Sequence, residues 1–550
     1  MKRFRIPLIS LFVALVYVGL LGNLYRLQIQ KNNYYTAQAA SQYQVAGFLE
    51  PARGSIYFTD RNNNQVPVAM NKEYPVIFAV PTEITNPSAA AAVLAPIFSL
   101  DQGTLTQVLS RPKDQYEVLS HKATDAQVAA VQNLPFKGVY VDKETLRSYP
   151  FGSLAASVLG FVAPTAENPQ PSGRYGLEEY YNAELSGTPG SVQGNKLVDA
   201  VSGQDLHLTL DINIQSQAEE ILQGLVQKYK ADQGMFIVEE PKTGKILAMG
   251  NYPTFDPNNY SAASLSSYIN PTIQGVYEPG SVMKLVTMSA GIDTNTITPY
   301  TKFFDSGSLT LNGKTIYNAN FEHYGNTDMV GVIDHSINMG AAFVENLLGP
   351  DRFYNYLVKF GFGQKTGIEL PGEVGGNISN LTSSYRAINF ADASFGQGVS
   401  VTPIQMISAI GAIANGGTLM RPYLLQNEQP QVVRQVVATS TAQQVAGMMV
   451  HAVNTNAVAI IPNFNVAGKT GTSQIPDFVH GGYTQNYIHN FIGFAPATNP
   501  RFIILMRLDN PDQTLAGYTV VEPFAQLAEY MLNYYNISPD NLGGNNVLQP

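Results

Sequence analysis

Residues 205–249 constrain the fold most, because elements of different period follow one another with almost no linker. Leu206-His207-Leu208-Thr209-Leu210 alternates with the period of two that a half-buried strand requires. Residues 212–230 then carry Ile214, Ala218, Ile221, Leu222 and Val226 at helical spacing. Two strand-like runs, 235–239 and 245–249, are joined by Pro241-Lys242-Thr243-Gly244, a hairpin turn. A helix followed by a hairpin opens an α+β sandwich, in which helices pack on an antiparallel sheet. Helical runs at 329–347, 350–360 and 403–415, strands at 490–495 and 501–508, and a closing helix at 522–535 extend this into a domain over 205–536.

The preceding residues 27–200 have a mixed texture and read as a separate pedestal domain. It opens with a polar helix over 27–47 and includes a strand at 74–80. Helical pieces fall near 89–100 and 125–133, and extended loops at 165–176 and 184–204. Ahead of it, Lys2, Arg3 and Arg5 precede an uncharged run over 6–25 that Arg26 closes. About 20 predominantly apolar residues span a bilayer as a helix. The basic cluster predicts a cytoplasmic tail of residues 1–5, a single transmembrane anchor and an extracytoplasmic remainder in the cell membrane. A cleaved signal peptide has a shorter apolar core and a small-residue cleavage site, which Asn23-Leu24-Tyr25-Arg26 does not supply. The polar tail 537–550 is expected to be mobile. A net charge of −9 and the lack of a basic run argue against nucleic-acid binding. With no cysteine, disulfides, thiolate metal sites and a cysteine nucleophile are excluded.

Serine acyl transfer needs an activated hydroxyl, a base within reach, oxyanion donors and a pocket for the substrate's charge. One arrangement draws S-x-x-K, S-x-N and K-T-G from distant parts of a chain. Here they are Ser281-Val282-Met283-Lys284, Ser336-Ile337-Asn338 and Lys469-Thr470-Gly471-Thr472. Each is weak alone, since Ser110-Arg111-Pro112-Lys113, Lys242-Thr243-Gly244 and Lys365-Thr366-Gly367 also match. Context separates them. Pro279-Gly280 sets up a helix start, and 282–291 reads as a buried helix that places Lys284 on the same face as Ser281. A desolvated lysine is partly neutral and suits a base. The same segment also reads as a helix cap with a snorkelling lysine. Ser110 lies in a proline-containing surface turn. Ser336 and Asn338 fit a connection between helices, suited to proton transfer and to holding a substrate amide, or an ordinary turn. Lys469, Thr470 and Thr472 on one strand suit a terminal carboxylate, and Gly471 is expected to let substrate backbone approach. The N–H groups of Ser281 and Thr472 would form the oxyanion hole.

In this order the elements resemble the class B penicillin-binding proteins, from about residue 50 to about 535. Tyr277-Glu278-Pro279-Gly280-Ser281, Leu208-Thr209-Leu210-Asp211 with Gln215, and Phe395-Gly396-Gln397-Gly398 all match that family's pattern. So do Thr402-Pro403 and Ala414-Asn415-Gly416-Gly417, and in the pedestal Arg53-Gly54, Asp60-Arg61-Asn62 and Gly176-Leu177-Glu178. Two departures are the long, glycine-free turn at 55–64 and Val282-Met283 in place of a commoner Thr-Phe. The resemblance implies an elongated dimerisation-type pedestal and a β-lactamase/transpeptidase-like domain. It implies a D,D-transpeptidase in which Ser281 attacks the penultimate D-Ala carbonyl of a peptidoglycan stem peptide, with Lys284 as base. Carboxypeptidase side activity and acylation by β-lactams follow, and no metal or cofactor is required. Glycan polymerisation falls to a multispanning partner, and a division role is favoured over elongation. The rival readings are a catalytically silent scaffold, a β-lactamase and a β-lactam sensor.

Overall fold

The computed structural model describes residues 16–17, 19–21 and 51–542, apart from 113, 115, 166–169, 194–195, 384 and 478; side chains are also undescribed at 192–193, 196–197 and 320. The predicted anchor 6–25 falls largely outside these residues, and the tail 1–5, the polar helix 27–47 and residues 543–550 wholly so. Among the described residues, no helix is long and apolar enough to cross a membrane. Contacts divide the chain into two units, one of 1–55, 69–150 and 186–204, the other of 56–68, 151–185 and 205–550.

Strand β1 (Gln65–Ala79), mostly in the smaller unit, covers the predicted strand at 74–80 except its last residue and pairs antiparallel with β2 (Glu117–Ser120) and β3 (Val139–Ser148). Helices α1 (Pro87–Phe98), α2 (Gln102–Leu109) and α3 (Asp125–Gln132) accompany this sheet. Asn86, Asp101 and Thr124 each accept a hydrogen bond from a first-turn N–H, the polar start signal a short helix needs. Leu94, Leu105, Leu109 and Val131 meet Ile77 and Leu119 in a small core.

The units do not follow the predicted blocks, because long-range pairing draws parts of 27–200 into the larger one. Ile56–Thr59 pairs in parallel with β4 (Leu206–Asp211). Phe161 stacks on Tyr260 at 4.5 Å, and the Ala155 N–H donates to Glu219 at 2.7 Å. At the long 55–64 turn Asp60 accepts from the Asn62 and Asn64 N–H groups, and Asn63 takes the left-handed conformation (φ 61°) that a glycine would otherwise supply. The predicted loops at 165–176 and 184–204 contain short strands at 172–174, 191–193 and 196–198, and short helices at 176–180 and 182–186 run between and into them.

After β4 come α4 (Ile212–Tyr229), β5 (Gln233–Glu240) and β6 (Lys245–Tyr252), as their periodicity predicts. Then follow α5 (Met283–Asp293), α6 (Met329–Asp334), α7 (Asn338–Leu348), α8 (Pro403–Ala414) and α9 (Thr439–Thr455). The chain returns to the sheet as β7 (Ala467–Pro476), β8 (Tyr483–Ala495) and β9 (Phe502–Asp509), and α10 (Val521–Tyr534) closes the unit. The sheet is antiparallel in the order β6-β5-β9-β8-β7, so β7 is an edge. One face packs on α4 and α10 through Leu222, Phe236, Phe491, Ile504, Phe524 and Met531. Such side chains contribute about 1.5–3 kcal/mol each on burial. The other face meets α8, buried along its whole length.

Candidate active site

The chain enters α5 through a single tight turn, Gly280–Val282, that carries Ser281. Gly280 has φ 59°, and a Cβ on it would come 2.9 Å from the Thr472 carbonyl oxygen. Glycine therefore permits both the turn and its close approach to β7. One helical turn later Lys284 is fully buried, with Nζ 3.0 Å from Ser281 Oγ. Ser336 joins α6 to α7 at φ 56°. Its Oγ lies 3.2 Å from Lys284 Nζ and 3.1 Å from Lys469 Nζ, and its carbonyl also accepts from Lys284. Four residues predicted from three separate motifs thus form one continuous chain, Ser281–Lys284–Ser336–Lys469.

Burial moves both lysines. Lys284 is pushed well below the ordinary lysine value by desolvation, and then by the charge of Lys469. Lys469 falls to about 8 by desolvation, partly opposed by Asp334, itself 2.9 Å from His451. Two ammonium groups meeting at one hydroxyl in a dry site disfavour double protonation. The arrangement therefore suits Lys284 neutral and Lys469 charged at neutral pH.

The remaining predicted residues divide. Thr470 is beside Lys469, its carbonyl oxygen 3.0 Å and its Oγ1 3.4 Å from Nζ. Thr472 Oγ1 accepts the Ala516 N–H at 3.2 Å. Asn338 starts α7 and donates to the Tyr317 carbonyl at 2.8 Å, outside the lysine–serine chain. A Cβ on Gly471 would meet the Asn490 side chain at 2.5 Å and the Pro279 carbonyl at 2.8 Å, so its small size lets the turn carrying Ser281 sit on the sheet. Of the competing motifs, Ser110 ends α2, where Oγ donates to Thr106 O at 2.6 Å. Lys242-Thr243-Gly244 forms the β5–β6 turn, and Thr366 is tied to Glu373.

Sequence reasoning assigned no role to Glu278, Asn490 or Tyr483, which support the turn from beneath and beside it. Gly396 is also packed tightly against this turn, since a Cβ on it would lie 2.2 Å from the Gly280 carbonyl.

Residues 234–529 match the model of the penicillin binding protein transpeptidase domain, and residues 48–206 that of the penicillin-binding protein dimerisation domain. The chain belongs to the penicillin-binding protein transpeptidases. Both domains together are those of a class B penicillin-binding protein, a serine-type enzyme. This penicillin-binding protein is 32% identical over 555 residues to the stage V sporulation protein D of Bacillus subtilis, covering 95% of this chain and 84% of that one. It is 27% identical to a probable peptidoglycan D,D-transpeptidase, PbpC, of Pseudomonas aeruginosa, over 98% of this chain and 97% of the relative. Among solved structures, penicillin binding protein 3 of Mycobacterium tuberculosis in complex with aztreonam superposes with a TM-score of 0.70 at 29% identity, over 92% of this chain and 100% of the other.

Proposed function

We propose that this penicillin-binding protein cross-links peptidoglycan stem peptides through an acyl-enzyme at Ser281. The observation that carries the proposal is the unbroken Ser281–Lys284–Ser336–Lys469 contact chain with a buried lysine 3.0 Å from the hydroxyl. Neutral Lys284 takes the proton as Ser281 Oγ attacks the penultimate D-Ala carbonyl of a donor stem. Ser336 relays a proton to the amine of the departing terminal D-Ala. Lys469, with Thr470 and Thr472, holds that residue's carboxylate. The Ser281 and Thr472 N–H groups receive the oxyanion. An acceptor amine then attacks the ester, forms the new amide, gives up its proton and releases Ser281. A β-lactam carbonyl enters by the same route, and its opened ring stays on the serine.

The basic cluster and apolar run at the N-terminus support a single-pass anchor with the catalytic unit outside the membrane. A multispanning glycan polymerase is the proposed partner, and division the proposed setting. A fluorescent fusion concentrated at the septum supports division; one spread along the side wall contradicts it.

Labelling the full-length chain with a fluorescent penicillin tests the chemistry. Wild type and Ser110→Ala are expected to carry one covalent label and Ser281→Ala none. A folded wild type that labels with no β-lactam contradicts the enzyme reading in favour of a scaffold. Supplying an acceptor amine then separates cross-linking from hydrolysis.

A further inference from the structure

Glu278 lies just ahead of Ser281, is buried, and has no place in the proton path. A carboxyl group taken out of water needs its oxygens satisfied. Gly398 N–H donates to Oε1 at 2.9 Å, and the Tyr483 hydroxyl to Oε2 at 3.0 Å. The backbone of the same segment is held as well. The Ser473 hydroxyl donates to the Glu278 carbonyl at 2.7 Å and the Asn490 amide to the Pro279 carbonyl at 3.3 Å. Gly280 N–H donates to the Gly396 carbonyl at 3.1 Å. These partners come from the 396–398 loop, β7 and β8. Tyr483 begins β8 opposite Pro476 at the end of β7.

We propose that Glu278 is a positioning residue whose carboxyl group clamps the turn carrying Ser281 to the 396–398 loop and to Tyr483, fixing Ser281 in register with Thr472. The inference rests on Ser281 being the acylated residue. Glu278 touches no reacting atom. It acts on the placement of Ser281 Oγ between Lys284 and the oxyanion donors, where a small displacement slows reaction more than it weakens binding. Burial, with nearby Asp392, pushes the Glu278 carboxyl up to about 7, while the bonds from Gly398 and Tyr483 oppose the rise. Glutamine therefore makes a close substitute: its amide oxygen can accept from Gly398, and its NH2 can donate to the Tyr483 oxygen.

Stopped-flow labelling of the full-length chain with a fluorescent penicillin separates the acylation rate constant from the dissociation constant of the preceding complex. Glu278→Ala is expected to lower the acylation constant about ten-fold or more and to change the dissociation constant less than about three-fold. Glu278→Gln is expected to recover to within about three-fold of wild type, and Tyr483→Phe to lose about three- to ten-fold. Circular dichroism checks folding; if the alanine variant is unfolded, the Gln and Phe variants decide. Alanine or phenylalanine variants that acylate at the wild-type rate, a loss confined to binding, or a glutamine variant no faster than alanine would overturn the clamp and leave Ser281 as nucleophile. A wild type that never labels overturns the underlying reading instead.

Discussion

In the smaller unit Lys143 and Glu73 meet at 2.9 Å with both side chains open to water, and Arg111, exposed, meets half-buried Glu117 at 3.1 Å. In the larger unit Lys284, Lys469, Glu239 and Glu278 are buried. Exposed pairs are screened and contribute little to stability. Buried ones have their proton affinities reset, and the direction is set by what surrounds them. The contrast marks where the chain can do proton chemistry near neutral pH. It also separates the two Ser-x-x-Lys matches. Ser281 is followed by a helix core that dries Lys284, whereas Ser110 ends an exposed helix turn.

Removing the buried base should produce the largest effect. Lys284→Ala is expected to slow acylation by on the order of a thousand-fold, read with a fluorescent penicillin. A near-normal rate would remove the link between burial and chemistry. Next is the charge on Lys469. Because its folded value is lowered to about 8, substrate-carboxylate binding should weaken as pH rises through that value. Lys469→Arg keeps the charge and should lose that descending limb, though with a lower maximum. A limb unchanged in the Arg variant would assign it elsewhere.

Glu239 sharpens the comparison away from catalysis. Packed against Ser408 and Gly411 of α8, it is pushed up to about 8 by burial. A raised carboxyl value means its contribution is fully present below the unfolded value and is lost as pH rises through about 8. Glu239→Gln should therefore gain stability relative to wild type between pH 5 and pH 8, by on the order of 2 kcal/mol, in thermal inactivation scans. An equal difference at both pH values would contradict it. The smallest effect belongs to the smaller unit. Lys143→Ala should leave the melting temperature unchanged at low and high salt, and a clear, salt-sensitive loss would break the contrast.

The parts legible in sequence were those written within a few residues of each other. One helical turn joins Ser281 to Lys284, and strict periodicity marks β4, α4 and the β5–β6 hairpin. The contact of Ser336 with Lys469 spans 133 residues and needed the motif pattern, because no local rule brings them together. The packing of Gly471 against the turn carrying Ser281 was not legible, because the strand pattern does not show which neighbour occupies the space beside a glycine. Glu278 went unassigned for the same reason: its partners, Gly398 and Tyr483, lie on other elements. Two signals were present and passed over. Ala442, Val445, Ala446, Met449 and Val453 make the apolar stripe of α9. Asn312-Gly313, both at positive φ, turns the hairpin of Ser308–Leu311 and Lys314–Tyr317.

The account turns on Lys284 being neutral where a free lysine is charged, so the most direct measurement is the pH dependence of the acylation constant in the full-length chain. The predicted rising limb lies well below the ordinary lysine value of about 10.4. A rate that keeps climbing ten-fold per pH unit up to pH 10 would mean that Lys284 titrates as if in water, and would contradict the account.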